Sequence, residues 1–485
     1  MKTSDLLYNL INSLSKSEKR YFISSHKDSS IYIKLFKEIE RQSFKGKYDE
    51  KLIKQKYAGE KFIKQLTYTK NYLYDLISES LIRFHRKNSI ESLIYSLILS
   101  AKVFFAKSLF ENYFRNIDKA RQLAYKYERL GILLEIITLQ KQLIRAKDLQ
   151  KIKLSSLQKE ESEIISKINN LSAMSKLLGE VNVLIKRINN TGSRTAILSI
   201  EKLLKNKILR SPKEALTVQA IDVYYDLKIF EAEFNGESET ALNLLLKKKE
   251  NYVSNEEIFR MNVNFQISSI TCNLAAYYLD AGNIKEFDKY FSYFKNIGST
   301  DIITGLISDL DVNSLFLRFI FLKRSIADFR EYAVSVLKHL HENESKITKD
   351  YLLSVYYNIS HQYFNAGDAE NALKTINILF NHRFKNFRKD LINAGKVLTF
   401  FIHYDLENFE LLESLLRTYK RNKSLTASQR SIAYFIGKLI TNTGKSRSTL
   451  QDFRSEISKL KKDKFERHFF RYFDPEEWIE KKLSL

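Results

Sequence analysis

From Tyr356 to Phe380 the chain reads YYNISHQYFNAGDAENALKTINILF. Large side chains recur at Tyr356, Ile359, Tyr363 and Phe364, Gly367-Asp368 interrupts them, and Ala372, Ile376 and Leu379 resume the spacing. Apolar residues three and four apart on both sides of a glycine turn predict two amphipathic helices folded into an antiparallel hairpin. One hairpin cannot bury both of its faces, so neighbours of the same kind are expected.

The composition agrees with an all-α chain. Among 485 residues there are two prolines and 13 glycines, where average usage gives about 24 prolines. A β-rich or linker-rich protein needs more turn residues than that. Apolar residues at 44% and charged residues at 28% are those of a folded globular chain. Cys272 is the single cysteine, which excludes an internal disulfide and leads us to expect a cytoplasmic protein. The opening MKTSDLLYNLINSLSKSEKRYF lacks the apolar core of a signal peptide, and no apolar run is long enough to predict a membrane span.

The net charge is +23. Residues 1–90 hold 19 basic against 10 acidic residues, and Leu411–Arg471 hold 15 against 5. The excess fits a solvated, lysine-rich surface and also fits a polyanionic partner.

Hairpin patterns recur after residue 90. Turn markers fall near Ser108, Gly192, Gly236, Gly282, Gly367, Glu407 and Gly444. If two further turns lie near residues 150 and 325, the mean period is about 42 residues, which gives about eight or nine hairpins. Ile152–Ile188 has a second reading as a long coiled-coil-like pair, because Leu157, Ile164, Ile168, Leu171, Leu178, Val181 and Ile185 nearly follow a heptad. The expected organisation is a basic N-terminal helical module (1–90), a helical-repeat array (91–473) and a C-terminal capping helix (474–485) whose Trp478 plugs the end of the stack. Pro212 and Pro475 each follow a capping residue and are expected to open helices.

In the N-terminal module, Ser15-Lys16-Ser17-Glu18 has the spacing of a capping box and Asp49 is placed to cap a short helix. Phe62, Leu66, Tyr68, Leu73 and Leu76 allow two readings. The simpler is a long helix. The other is a DNA-reading helix-turn-helix with its turn at Thr67-Tyr68-Thr69 and with Lys61, Lys64 and Lys70 on phosphates, although Thr67 stands where that turn favours glycine.

The hairpin around Gly367 resembles a tetratricopeptide repeat through Tyr356, Ile359, Ser360, Tyr363, Gly367 and Ala372. The one around Gly282 resembles it through Leu274, Ala275 and Tyr278, with Phe287 and Thr271 departing from the pattern. The two units cover roughly a tenth of the chain, and the period of about 42 exceeds the 34 of that family. The opening SLSKSEKRYF also resembles an uncharacterised group of bacterial helical-repeat proteins. The tetratricopeptide likeness implies an α-solenoid that binds an extended peptide on its concave face, with Asn273 and Asn358 in equivalent places and His361 one turn further.

No catalytic residue or cofactor is implied. His339 and His341 are two residues apart, on different faces of a helix, and do not suit one metal. Gly444-Lys445-Ser446 lacks the first glycine of a phosphate-binding loop. Lys459–Phe473, KLKKDKFERHFFRYF, mixes bases and aromatics and is expected to be a last helix that buries Phe465, Phe469 and Phe470 while its bases stay in water. The expected function is therefore a non-enzymatic scaffold or adaptor for a protein or peptide. A nucleic-acid-binding regulator that uses the N-terminal module is the alternative.

Overall fold

A computed structural model describes residues 3–26, 30–43, 48–85, 89–146, 154–191, 193–259, 263–296, 326–345, 347–422, 425–441 and 446–484. Among these the chain forms 23 α-helices and no strand. It divides into two compact units, 1–164 and 165–485.

The first unit begins with α1 (Thr3–Ser13), α2 (Lys16–Ser24), α3 (Ile31–Ser43), α4 (Glu50–Lys56) and α5 (Leu66–His85). Ser15 and Glu18 form the expected capping box at the start of α2, and Asp49 caps α4. Leu7, Ile11, Phe22, Ile33, Phe36, Ile39, Leu73 and Ile77 meet in one core. The expected helix-turn-helix does not form. Thr67–Thr69 lie in the first turn of α5, a single 20-residue helix preceded by one 3-10 turn, Lys61–Gln65. The unit continues through α6 (Ile90–Ala106), α7 (Phe110–Lys126), α8 (Leu130–Ala146) and the start of α9 (Leu154–Thr191).

The second unit holds the rest of α9, then α10 (Arg194–Leu204), α11 (Val218–Asn235), α12 (Ser238–Ser254), α13 (Glu256–Phe259), α14 (Val263–Asp280), α15 (Ile284–Asn296) and α16 (Ile326–Asn343). It closes with α17 (Lys349–Asn365), α18 (Ala369–Asn381), α19 (Lys389–Asp405), α20 (Phe409–Lys420), α21 (Ala427–Thr441), α22 (Ser446–Lys462) and α23 (Glu476–Ser484). The pairs α6/α7, α11/α12, α14/α15, α17/α18, α19/α20 and α21/α22 pack as hairpins.

Five of the expected turns share one backbone device. Ser108, Gly236, Gly282, Gly367 and Glu407 all have φ between 59° and 79°. In each, the left-handed residue donates to the carbonyl three residues back and its successor donates to the carbonyl five residues back, as Gly367 does to Phe364 and Asp368 to Tyr363. These are Schellman turns, which satisfy the last carbonyls of one helix while reversing the chain. A sixth, at Glu128 with φ 50°, joins α7 to α8 and has no glycine to announce it. The expected markers Gly192 and Gly444, the turns near 150 and 325, and the Gly444-Lys445 pair lie outside the described residues.

The even period is broken at α9. Leu154–Thr191 is one 38-residue helix, neither a hairpin nor a pair of coils. Pro212 also departs from expectation, because it opens only a 3-10 turn that ends at Glu214.

The hairpin at 356–380 packs as its spacing predicts. Tyr363 meets Phe329 of α16 with ring centroids 5.1 Å apart. The fully buried Ser360 donates to the Ala372 carbonyl across the hairpin at 2.8 Å, where a larger side chain would hold the helices apart. Gly395 serves the next contact, since a Cβ there would come within 3.0 Å of Ile376 and 3.1 Å of Phe380.

Candidate functional site

Helices α17 and α19 hold a segment of the same chain. Residues 463–475 follow α22 without forming the expected last helix, apart from a 3-10 turn at Phe469–Arg471, and lie against α10, α11, α17, α19 and the start of α21. Amide-to-carbonyl bonds three residues back, Glu466 to Asp463, Phe469 to Glu466, Phe470 to Arg467 and Tyr472 to Phe469, wind the segment into consecutive turns, and only Phe473–Pro475 leave them, so it is a turn-rich strap.

At its start Phe465 packs on the α9–α11 core, and Lys464 pairs with Glu201 at 3.0 Å. Arg467 donates to the Asn235 carbonyl at 3.2 Å and Arg471 to the Glu233 carbonyl. These bases close the C-terminal end of α11, whose last carbonyls need donors, while Arg471 stays exposed as expected. Glu466, almost fully buried, accepts from the Ala427 and Ser428 amides at 3.2 and 2.9 Å and so caps α21 from 38 residues away. A carboxylate is stabilised at that positive helix end.

Further along, the Tyr357 hydroxyl donates to the Tyr472 carbonyl at 2.9 Å. The Tyr472 ring reaches Asp390 and Arg388, a pair joined by three hydrogen bonds of 2.7–3.1 Å. Arg388 also donates to Ser354 at 2.8 Å and lies 3.3 Å from Asp350. Phe473 is 1% exposed, with its ring 4.7 Å from Phe401, 5.6 Å from His361 and 6.3 Å from Phe364. Burying a ring of this size stabilises by about 1.5–3 kcal/mol. Trp478 packs edge-on to Phe401 and Tyr404, and its indole donates to Asp405 at 3.0 Å. It therefore covers α19, with α20, α21 and α22 still to follow that helix in the chain, and does not plug the end of the stack.

A recess of ≈ 190 Å³ remains beside the strap, with His361, Asn365, Asp405, Glu477 and Trp478 among the residues that line it. Burial pushes the His361 imidazole down to about 4, so it is neutral at pH 7. His468, its ring tilted by 33° against Phe234 with centroids 4.5 Å apart, is pushed to about 4 by burial and by the charges of Arg471 and Arg467. The arrangement suits holding an aromatic segment through one carbonyl, one ring and a flanking ion pair.

Of the residues predicted for peptide binding, Asn358 is exposed on α17 and Asn273 is exposed on α14. His361 faces the recess and the strap. The lysines of the alternative reading separate. Lys61 and Lys64 are exposed, but Lys70 is 5% exposed and donates to Glu50 at 2.6 Å, so it is not placed to meet a phosphate. Sequence reasoning missed Tyr357, Arg388, Asp390 and Glu466. Only Glu466 left a signal, as one of two acids in the basic run Lys459–Phe473.

No protein-family model matches this chain, and no curated protein sequence matches it significantly. Among the described residues no three His, Cys, Asp or Glu side chains gather as a metal site, and no single helix is long and apolar enough to cross a membrane.

Proposed function

We propose that this chain is a non-enzymatic scaffold of tetratricopeptide-like helical hairpins that binds a protein or peptide partner along its inner helices. The observation that carries the reading is the seat of the strap: α17 and α19 hold a non-helical segment by a hydroxyl on its Tyr472 carbonyl and an aromatic pocket around Phe473. A surface that holds an aromatic, turn-rich segment in this way has the chemistry to hold a second segment from a partner. In this reading the exposed amides of Asn358 and Asn273 hydrogen-bond the backbone of such a partner.

The test is affinity purification of the full chain beside an Asn273→Ala/Asn358→Ala form. Wild type is expected to retain a protein that the double variant loses. Equal retention by both forms, or no retained protein, overturns the reading.

A further inference from the structure

Short connections make α17 to α22 alternate in direction, so the N-termini of α17, α19 and α21 and the C-termini of α18, α20 and α22 lie at one end of these hairpins. That end is basic. Lys349 and Lys389 begin α17 and α19, Lys385 and Phe387 stand in the connection between α18 and α19, and Arg421 follows α20. All five are exposed. Among the described residues none of these four bases has an ion-pair partner, whereas the nearby carboxylates other than the exposed Glu342 are engaged. Glu344 is held by Arg383 at 2.7 Å, Asp350 and Asp390 by Arg388, and Asp463 accepts from the Phe465 amide.

Phe387 is the second observation. It is 59% exposed, yet it is held in place: a 3-10 turn, Lys385–Phe387, carries it, the Phe384 ring meets it edge-on at 6.2 Å, and Lys349 Nζ lies 4.7 Å from its centroid. Lys349 also lies 4.5 Å from Phe384, and Arg383 4.6 Å from the same ring. Cation–π contacts thus fix an open aromatic ring among unpaired cations.

We propose that this end of the hairpins binds single-stranded nucleic acid, with a base stacked on Phe387 and phosphates on Lys349, Lys385, Lys389 and Arg421. A single strand supplies both flat π-faces and phosphates, the combination such platforms take. An acidic peptide would satisfy the lysines and leave the ring unused. A duplex would offer phosphates with its bases already stacked on one another.

The test is fluorescence anisotropy of a labelled oligothymidylate with the full chain. Binding is expected to weaken about 50-fold between 50 and 200 mM salt, from about four phosphate contacts. Phe387→Ala should weaken it about 5- to 150-fold, the range for losing one stacked base. Lys385→Glu/Lys389→Glu should abolish it, and Asn273→Ala/Asn358→Ala should leave it unchanged, which separates this site from the scaffold reading. Because these side chains are exposed, each variant should melt with wild type. The proposal is overturned if the oligonucleotide does not bind or if Phe387→Ala binds as wild type. It is equally overturned if polyglutamate or a duplex competes at lower concentration than unlabelled single strand, or if Lys61→Glu/Lys64→Glu removes the binding.

Discussion

Residues 3–85 and residues 326–484 are both helical, but they are closed by different means. In the first, the core is mainly aliphatic and ion pairs surround it. The Glu38 side chain is 1% exposed and held by Arg41 and Lys56, Glu50 is shared by Lys54 and Lys70, and His85 reaches Glu18 at 2.6 Å. In the second, the core is rich in aromatics and is completed by Phe473, Trp478 and Ile479 from the far end of the segment. Two stretches of similar helix content can therefore depend on charge in one case and on a distant aromatic strap in the other.

The largest expected effect tests the strap. Phe473→Ala should cost about 3–5 kcal/mol, read by urea unfolding with the fluorescence of Trp478, the one tryptophan in the chain. Hydrogen exchange in 3–85 should not change. A loss below about 1 kcal/mol would mean that the strap only rests on the hairpins.

Acid separates the two regions next. Burial pushes the His361 and His468 imidazoles to about 4 and lowers His403 as well. Below the ordinary histidine value of about 6.5 the unfolded chain takes up protons that the folded one refuses. Stability of 326–484 should therefore fall as pH drops from about 6.5 to 4, by at most about 3 kcal/mol for each of the first two. In 3–85, burial alone would raise the Glu38 and Glu18 carboxyls. Hydrogen bonds from Arg41 and Lys56, and from His85, outweigh it and hold both low. Glu50 is lowered by hydrogen bonds from Lys54 and Lys70. Their contribution is present above about 4.3 and is lost as pH falls through the depressed folded values. Urea midpoints followed by Trp478 should accordingly slope between pH 6.5 and 4.5, and His361→Gln should flatten the slope. A flat wild-type profile would remove the contrast.

The smallest effects concern the turns, which the two units share. Gly367→Ala places a Cβ at φ 78° and should cost about 1–2 kcal/mol. Glu407→Gly and Ser108→Gly should each raise stability by up to about 1 kcal/mol in thermal melts. Unequal gains would show that one of the two turns is held by its surroundings.

Local signals were legible in the sequence. The capping box at Ser15, the cap at Asp49 and five left-handed turns are all decided by residues within a few positions of one another. The Glu128 turn was not picked out: like those at Ser108 and Glu407 it has no glycine, and the bonds of the Schellman motif supply the preference. Leu154–Thr191 misled because a heptad and a continuous helix place apolar residues alike. The strap escaped altogether, since what orders Phe473 and Glu466 is contact with helices farther back in the chain. For the same reason His361 was expected at an open groove and instead faces a segment of its own chain.

The hydrogen bond from Tyr357 to Tyr472 spans 115 residues. At elongation rates of about 5–20 residues per second, α17 emerges from a ribosome roughly 6–23 s before the strap that covers it. During that interval Tyr357, Phe364 and Phe401 present an aromatic surface to whatever binds nascent chains. A transcript truncated before codon 473 would leave that surface uncovered for the lifetime of the product, marking it for chaperone retention or proteolysis.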